Sequence, residues 1–143
     1  KYDSFTKAAC VSFDPVCLPG VKFRDLSGKR PSGISKWSTD LTTAYNFNVG
    51  GDWDGFVRVE YSYASKIALS NQVPANIASN DFHNVNASIG FGNKDVIEAM
   101  LWARNLTKDH SLQGAFASVA QSGSYAGYPN TPRTYGITLK KSF

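Results

Sequence analysis

Long apolar runs are missing from this chain of 143 residues. No stretch approaches the roughly 20 apolar residues that a membrane-spanning helix requires, so a helical membrane protein is excluded. Strands escape that exclusion, because a spanning strand needs only about 9–11 residues and is apolar at every second position. Runs of one charge are also missing. No Lys/Arg run exceeds the pairs Lys29–Arg30 and Lys140–Lys141, and the net charge of +4 (pI near 9.1) is spread along the chain. Dispersed charge describes a solvated surface or lumen, not a nucleic-acid partner. Cysteine is scarce. Cys10 and Cys17 have no second pair to complete a zinc site, and His83 and His110 are remote in sequence. A local disulfide in an oxidising compartment is the expected use, with no metal site and no cofactor. No Ser–His or His–Asp constellation with supporting spacing occurs, so no catalytic residues are expected. The opening Lys1-Tyr-Asp-Ser-Phe does not resemble a signal peptide and reads as the interior of something longer.

What is present is β-strand pattern. With 42% hydrophobic residues and a mean hydropathy of −0.28, the chain is too apolar for disorder and is long enough for one ordinary domain. Five segments alternate with period 2. From Lys36 to Val49, the odd positions are Trp37, Thr39, Leu41, Thr43, Tyr45, Phe47 and Val49, and the even positions are polar or small. From Gly55 to Ile67, Val57, Val59, Tyr61, Tyr63 and Ile67 oppose Arg58, Glu60, Ser62 and Lys66. From Phe82 to Phe91, Val85, Ala87, Ile89 and Phe91 oppose Asn84, Asn86, Ser88 and Gly90. From Arg133 to Phe143, Tyr135, Ile137, Leu139 and Phe143 share a face that Lys141 alone interrupts, and a Lys so near an interface can snorkel. The remaining segment, Val96 to Thr107, fits helical spacing as well as strand spacing. Read as a strand, it puts Ile97, Ala99, Leu101 and Ala103 on the apolar side.

The links between segments sort by length. Short turns at 50–55 and 92–95 follow the odd-numbered segments, whereas long links at 68–81 and 108–132 follow the even ones, and another, 10–35, precedes the first. Long loops at one rim and short turns at the other describe an outer-membrane barrel. Aromatics gather at segment ends. Trp37, Tyr61 and Tyr63 fall near the long-loop rim, and Phe47, Trp53, Phe91 and Phe143 near the other, as interfacial girdles would. Asp40, Arg58, Glu60, Lys66, Glu98 and Arg104 share the polar face, which suits a wet or plugged lumen and would be costly against hydrocarbon. Two alternatives stay open: a soluble carbohydrate-binding β-sandwich with aromatic stacking platforms, and a small complete barrel acting as an adhesin or structural protein.

Five ordered pieces carry a resemblance. Asp25-Leu-Ser-Gly-Lys-Arg-Pro31, Lys36-Trp-Ser38, Leu101-Trp-Ala-Arg-Asn-Leu-Thr107, Gly123-Ser-Tyr-Ala-Gly-Tyr-Pro129 and Pro132-Arg-Thr-Tyr-Gly-Ile-Thr-Leu139 onward to Phe143 resemble the C-terminal part of TonB-dependent receptors. Each piece alone is weak; their order and spacing across nearly the whole chain are specific. The resemblance implies an all-β fold, an antiparallel transmembrane β-barrel of roughly 22 strands with a plugged lumen. Residues 1–143 would supply its last five to six strands, including the end of a preceding strand over Lys1 to about Ala9. It also implies that Val96–Thr107 is a strand, that 50–55 and 92–95 are periplasmic turns, and that 10–35, 68–81 and 108–132 are extracellular loops. The terminal Phe143 resembles the signal read by outer-membrane assembly machinery.

The functional expectations follow from the same resemblance. The chain would be part of a Gram-negative outer-membrane receptor that imports a scarce nutrient, foremost a ferric siderophore, driven by TonB. Its partners would be the rest of the barrel, a plug domain absent from this chain, TonB through a missing N-terminal region, and outer-membrane lipid or lipopolysaccharide. Tyr125 and Tyr128 would stack on or hydrogen-bond a chelate, or else brace their loop. Lys22 and Arg24, with Lys29 and Arg30, would attract an anionic chelate or lipopolysaccharide phosphates, or else be solvated. The triplets Asn86-Ala-Ser and Asn105-Leu-Thr match a glycosylation sequon, but a bacterial strand is no acceptor.

Overall fold

The computed structural model describes residues 1–93, 95–121 and 123–141, so Ser142 and the terminal Phe143 lie outside the described residues. These form nine strands and no helix: β1 (Ala8–Ala9), β2 (Phe23–Arg24), β3 (Ser38–Gly50), β4 (Trp53–Ala68), β5 (Ser79–Asn93), β6 (Ile97–Arg104), β7 (Leu112–Ala117), β8 (Tyr125–Pro129) and β9 (Thr134–Lys141). The protein is therefore all-β. Strands β3-β4-β5-β6-β9 make one sheet in that order, while β1-β2 and β7-β8 are separate antiparallel pairs. The chain divides into two compact units. A sheet unit comprises Ser38–Tyr63, Phe82–His110 and Thr131–Phe143, and a loop unit comprises Lys1–Trp37, Ala64–Asp81 and Ser111–Asn130.

All five alternating segments are strands of the one sheet, and the ambiguous 96–107 segment is a strand, β6. Helical spacing loses there because β6 is hydrogen-bonded on both sides, to β5 and to β9. The registers Ile89↔Leu101↔Ile137, Ala87↔Ala103↔Tyr135 and Phe91↔Ala99↔Leu139 put the expected apolar residues in rows across three strands. Ser88↔Trp102↔Gly136 and Gly92↔Glu98↔Lys140 form rows on the opposite face. Between β3 and β4 the chain turns at Gly50 and Gly51 (φ 126° and 58°), conformations that favour glycine. Trp53, expected in this turn, is instead the first residue of β4 and stacks on Phe91 (centroids 5.0 Å apart).

A further expectation is corrected. Lys1–Ala9 is not a strand of the main sheet. Only Ala8–Ala9 is extended, and it pairs with Phe23–Arg24. Tyr2 and Phe5 instead exchange backbone hydrogen bonds with Leu26, Gly28 and Lys29, which holds the segment to the loop that follows. Within the long 108–132 link lies the hairpin β7–β8, with a bulge between Leu112 and Gly114.

Very little of the molecule is packed apolar core. Among the described residues, the buried hydrophobic side chains are Ala8, Val73 and Ala78, all in the loop unit, with Pro74 buried beside Val73. The apolar rows of the sheet are open, with Tyr45 70%, Ile137 68% and Leu139 69% exposed.

Candidate functional site

Two surfaces carry the chemistry that the sequence singles out. The first is the sheet. Leu41, Tyr45, Val57, Ile89, Leu101, Ile137 and Leu139 are exposed on one face, and no second layer covers them among the described residues. The other face carries charge. Lys140 Nζ lies 3.4 Å from Glu98 Oε2, and Asn86 Nδ2 donates to Glu60 Oε2 at 3.4 Å. Arg104 stacks on the Trp102 ring at 5.0 Å, and the Trp102 indole N–H donates to the Thr138 hydroxyl at 3.2 Å. Gly90 and Gly136 are needed where they stand, because a Cβ on either would enter the ring of Phe56 or Trp102 respectively.

This face ends at Asn105, which explains why β6 stops at Arg104. Asn105 takes the left-handed conformation (φ 51°) and is 2% exposed. Its Nδ2 donates to the carbonyls of Asp109 (2.9 Å) and Thr131 (2.8 Å), and its Oδ1 accepts from the Asp109 N–H (2.8 Å). A short polar side chain satisfies the turn's backbone groups where strand pairing has ended. The same burial removes Asn105 as a glycan acceptor in the folded chain. Next to this turn, His83 packs against Tyr63 (centroids 4.8 Å apart), and the carboxylate of Asp109 accepts its backbone N–H.

The second surface is the loop unit, which holds every candidate ligand contact. Cys10 and Cys17 are joined as a disulfide, with Cα atoms 5.6 Å apart. The residues they enclose are anchored at two points. Asp14 accepts from the Arg24 guanidinium in an ion pair, and the Ser12 carbonyl accepts from the Tyr125 hydroxyl. Phe13, itself at φ 61°, meets the Tyr125 ring edge-on at 6.4 Å. Arg24 also donates to the Asn71 carbonyl at 2.6 Å, and its side chain is 9% exposed. Arg24 and Tyr125 thus both brace the disulfide loop. Lys22 is exposed, and Tyr128 is exposed with its ring tilted against Phe116 at 5.4 Å. No side-chain contact joins Lys22 or Tyr128 to Arg24 or Tyr125 among the described residues.

Sequence reasoning missed Asp14, Asn71 and Asn80 as organising residues. Asn80 pairs with Leu112 through its amide, accepting at 2.9 Å and donating at 3.3 Å, as a backbone strand partner would. The only available signal was Asp14-Pro15, a turn pair, and it does not reveal Arg24 as a partner. Beside that pair, the hydroxyl of Ser27 and then its backbone N–H hold the Asp25 carboxyl below its ordinary value. Among the described residues no cluster of His, Cys, Asp and Glu is arranged to hold a metal ion. No family model, curated protein or solved structure matches the chain.

Proposed function

We propose that this chain is lipid-facing barrel wall and loop from a TonB-dependent outer-membrane receptor, whose cargo is a scarce nutrient of the ferric-siderophore kind. The observation that carries the reading is the exposed apolar face of the five-stranded sheet. In water, a contiguous apolar patch much above a few hundred Å² is a liability. Against hydrocarbon it is what a spanning strand requires, and the opposite face then serves as the lumen lining. Tyr45, Tyr135 and Ile137 are too exposed to be the core of a two-layer sandwich, which weighs against the soluble carbohydrate-binding reading.

Five strands in the order β3-β4-β5-β6-β9 leave β3 and β9 each with one edge unpaired among the described residues. Lipid does not tolerate such edges, so the reading requires the remaining strands of the barrel to pair with them. A plug and TonB would act through those other parts. The sorting of loops supports the same arrangement, with two-residue and near-two-residue turns at one end of the strands and 69–78 and 105–133 at the other.

The test is solvent dependence. The chain is expected to reach strand-rich circular dichroism only in maltoside micelles, where its open β3 and β9 edges favour self-association, and to precipitate in plain buffer. A monodisperse, folded protein in buffer without detergent overturns the reading.

A further inference from the structure

The packed core of the loop unit underlies a cleft. Segment 69–78 closes on itself through Leu69 N–H to the Ala78 carbonyl (3.0 Å) and through Ile77 and Ala78 N–H to the Pro74 carbonyl (2.9 and 3.0 Å). That closure buries Val73, 1% exposed, and Pro74. On them opens a cleft of about 580 Å³, whose walls also include Pro31 and Ile34. In a molecule with so little buried apolar surface among its described residues, this floor is one of the few packed places beneath an open cleft.

The cleft is also unevenly charged. Arg24, Lys29, Arg30 and Lys66 line it against the two carboxylates of Asp14 and Asp25. Asp14 is paired with Arg24, while Asp25, hydrogen-bonded by Ser27, keeps its charge, so four cations line the cleft against two carboxylates. No carboxylate lies within ion-pair distance of Lys29, Arg30 or Lys66 among the described residues. Arg24 keeps a buried Nε–H without a partner, although the rest of its guanidinium is fixed by Asp14 and Asn71. An excess of like charge is unfavourable and favours an anion among the cations. A buried donor left unmade works in the same direction.

We propose that this cleft binds a small organic anion, its carboxylate or phosphate held by Lys29, Arg30 and Lys66 and its apolar body resting on Pro31 and Ile34 above the packed Val73–Pro74 floor. The inference rests on the receptor reading only for the ligand's role as cargo. The same anionic group is also carried by lipid phosphates, and the proposal commits to the soluble molecule. It moves ligand recognition away from Lys22, Tyr125 and Tyr128, none of which lines the cleft.

The test uses the full chain folded in dodecyl maltoside, with phenyl phosphate as probe and calorimetry as readout. Saturable binding at one site is expected, tighter than for inorganic phosphate and weakening as salt rises. Lys29→Gln and Lys66→Gln, each with unchanged circular dichroism, should weaken binding about tenfold, as loss of a charge-assisted contact does. Lys22→Gln removes the same charge outside the cleft and should change it less than twofold. Equal weakening by Lys22→Gln, or no saturable binding by the folded chain, overturns the cleft and leaves the receptor reading standing. Micelles doped with phosphatidylglycerol, but not phosphatidylcholine, that displace phenyl phosphate overturn the soluble ligand in favour of a lipid phosphate. Folding without detergent, with phenyl phosphate still bound at a Lys29-dependent site, overturns the receptor reading and leaves the cleft.

Discussion

The sheet unit and the loop unit are held together by different physics. In the sheet unit, backbone ladders do the holding. Its apolar residues are exposed on one face, and its β5–β6 and β6–β9 registers are regular. In the loop unit, where strands are only two to six residues long apart from the ends of β4 and β5, side chains take over. One disulfide, the Arg24–Asp14 ion pair, Tyr125 on Ser12, Asn80 on Leu112 and a small Val73–Pro74–Ala78 core close it. The contrast teaches that long regular ladders can hold a sheet with little buried core, whereas loops with only short ladders need specific cross-links.

The largest effect should come from charging the apolar face. Ile137→Lys is expected to cost about 2–4 kcal/mol of unfolding free energy in micelles, the range for a lysine facing the middle of a bilayer. Thr138→Lys, one residue along and on the other face, should cost far less. Urea unfolding of both variants decides the point, and equal losses would mean that the two faces meet the same medium.

A smaller effect, confined to the other unit, should follow removal of the cross-link. Cys10→Ser with Cys17→Ser frees a short loop, and the chain-entropy account puts the loss at about 2 kcal/mol. Hydrogen exchange should quicken at Cys10 and Val21, whose amides bond to Lys22 and Leu18, while the β6–β9 amides keep their protection. Loss of protection in β6 and β9 as well would show that the units do not melt separately.

The smallest effect is electrostatic. In Ser27→Ala, Asp25 loses the hydroxyl that does most to depress its pKa, so its carboxyl should titrate closer to its ordinary value. Because the folded-state pKa is the lower one, the Asp25–Ser27 turn is favoured above the ordinary carboxylate range and loses that support as pH falls through the depressed value. Carbon-detected titration of the Asp25 carboxyl reads the shift, and an unchanged midpoint would remove Ser27 as its cause.

Legibility followed the same division. Val96–Thr107 fits helical spacing equally well, but the other four of the five long strands could be read because each repeats one rule at every second residue, as Leu41, Tyr45 and Val49 do in one segment. The β7–β8 hairpin could not, since Gly114-Ala115 and Ala126-Gly127 lack the β-branched residues that mark strands. Lys1–Ala9 was misjudged because a barrel context supplies a neighbour by default, while Tyr2, Phe5, Leu26 and Gly28 supply a local one. Of the candidate contacts, Arg24 was visible as a charge, but its engagement with Asp14 and Asn71 was not. Nor was the gathering of Lys66 with Lys29 and Arg30, which depends on how segments far apart in sequence are folded back.

Gly136 beneath Trp102 has a consequence for assembly. Arg104 and Thr134 are separated by 29 residues, so β9 must find β6 without a tight turn to align it. A slip of one residue would carry Tyr135 and Ile137 to the charged side. A slip of two preserves the faces and so escapes that penalty, but it would set Thr134 or Thr138 under the indole, where a Cβ has no room. The single glycine on that side of β9 therefore works as a proofreading position, accepting one alignment and rejecting its nearest same-face imitators.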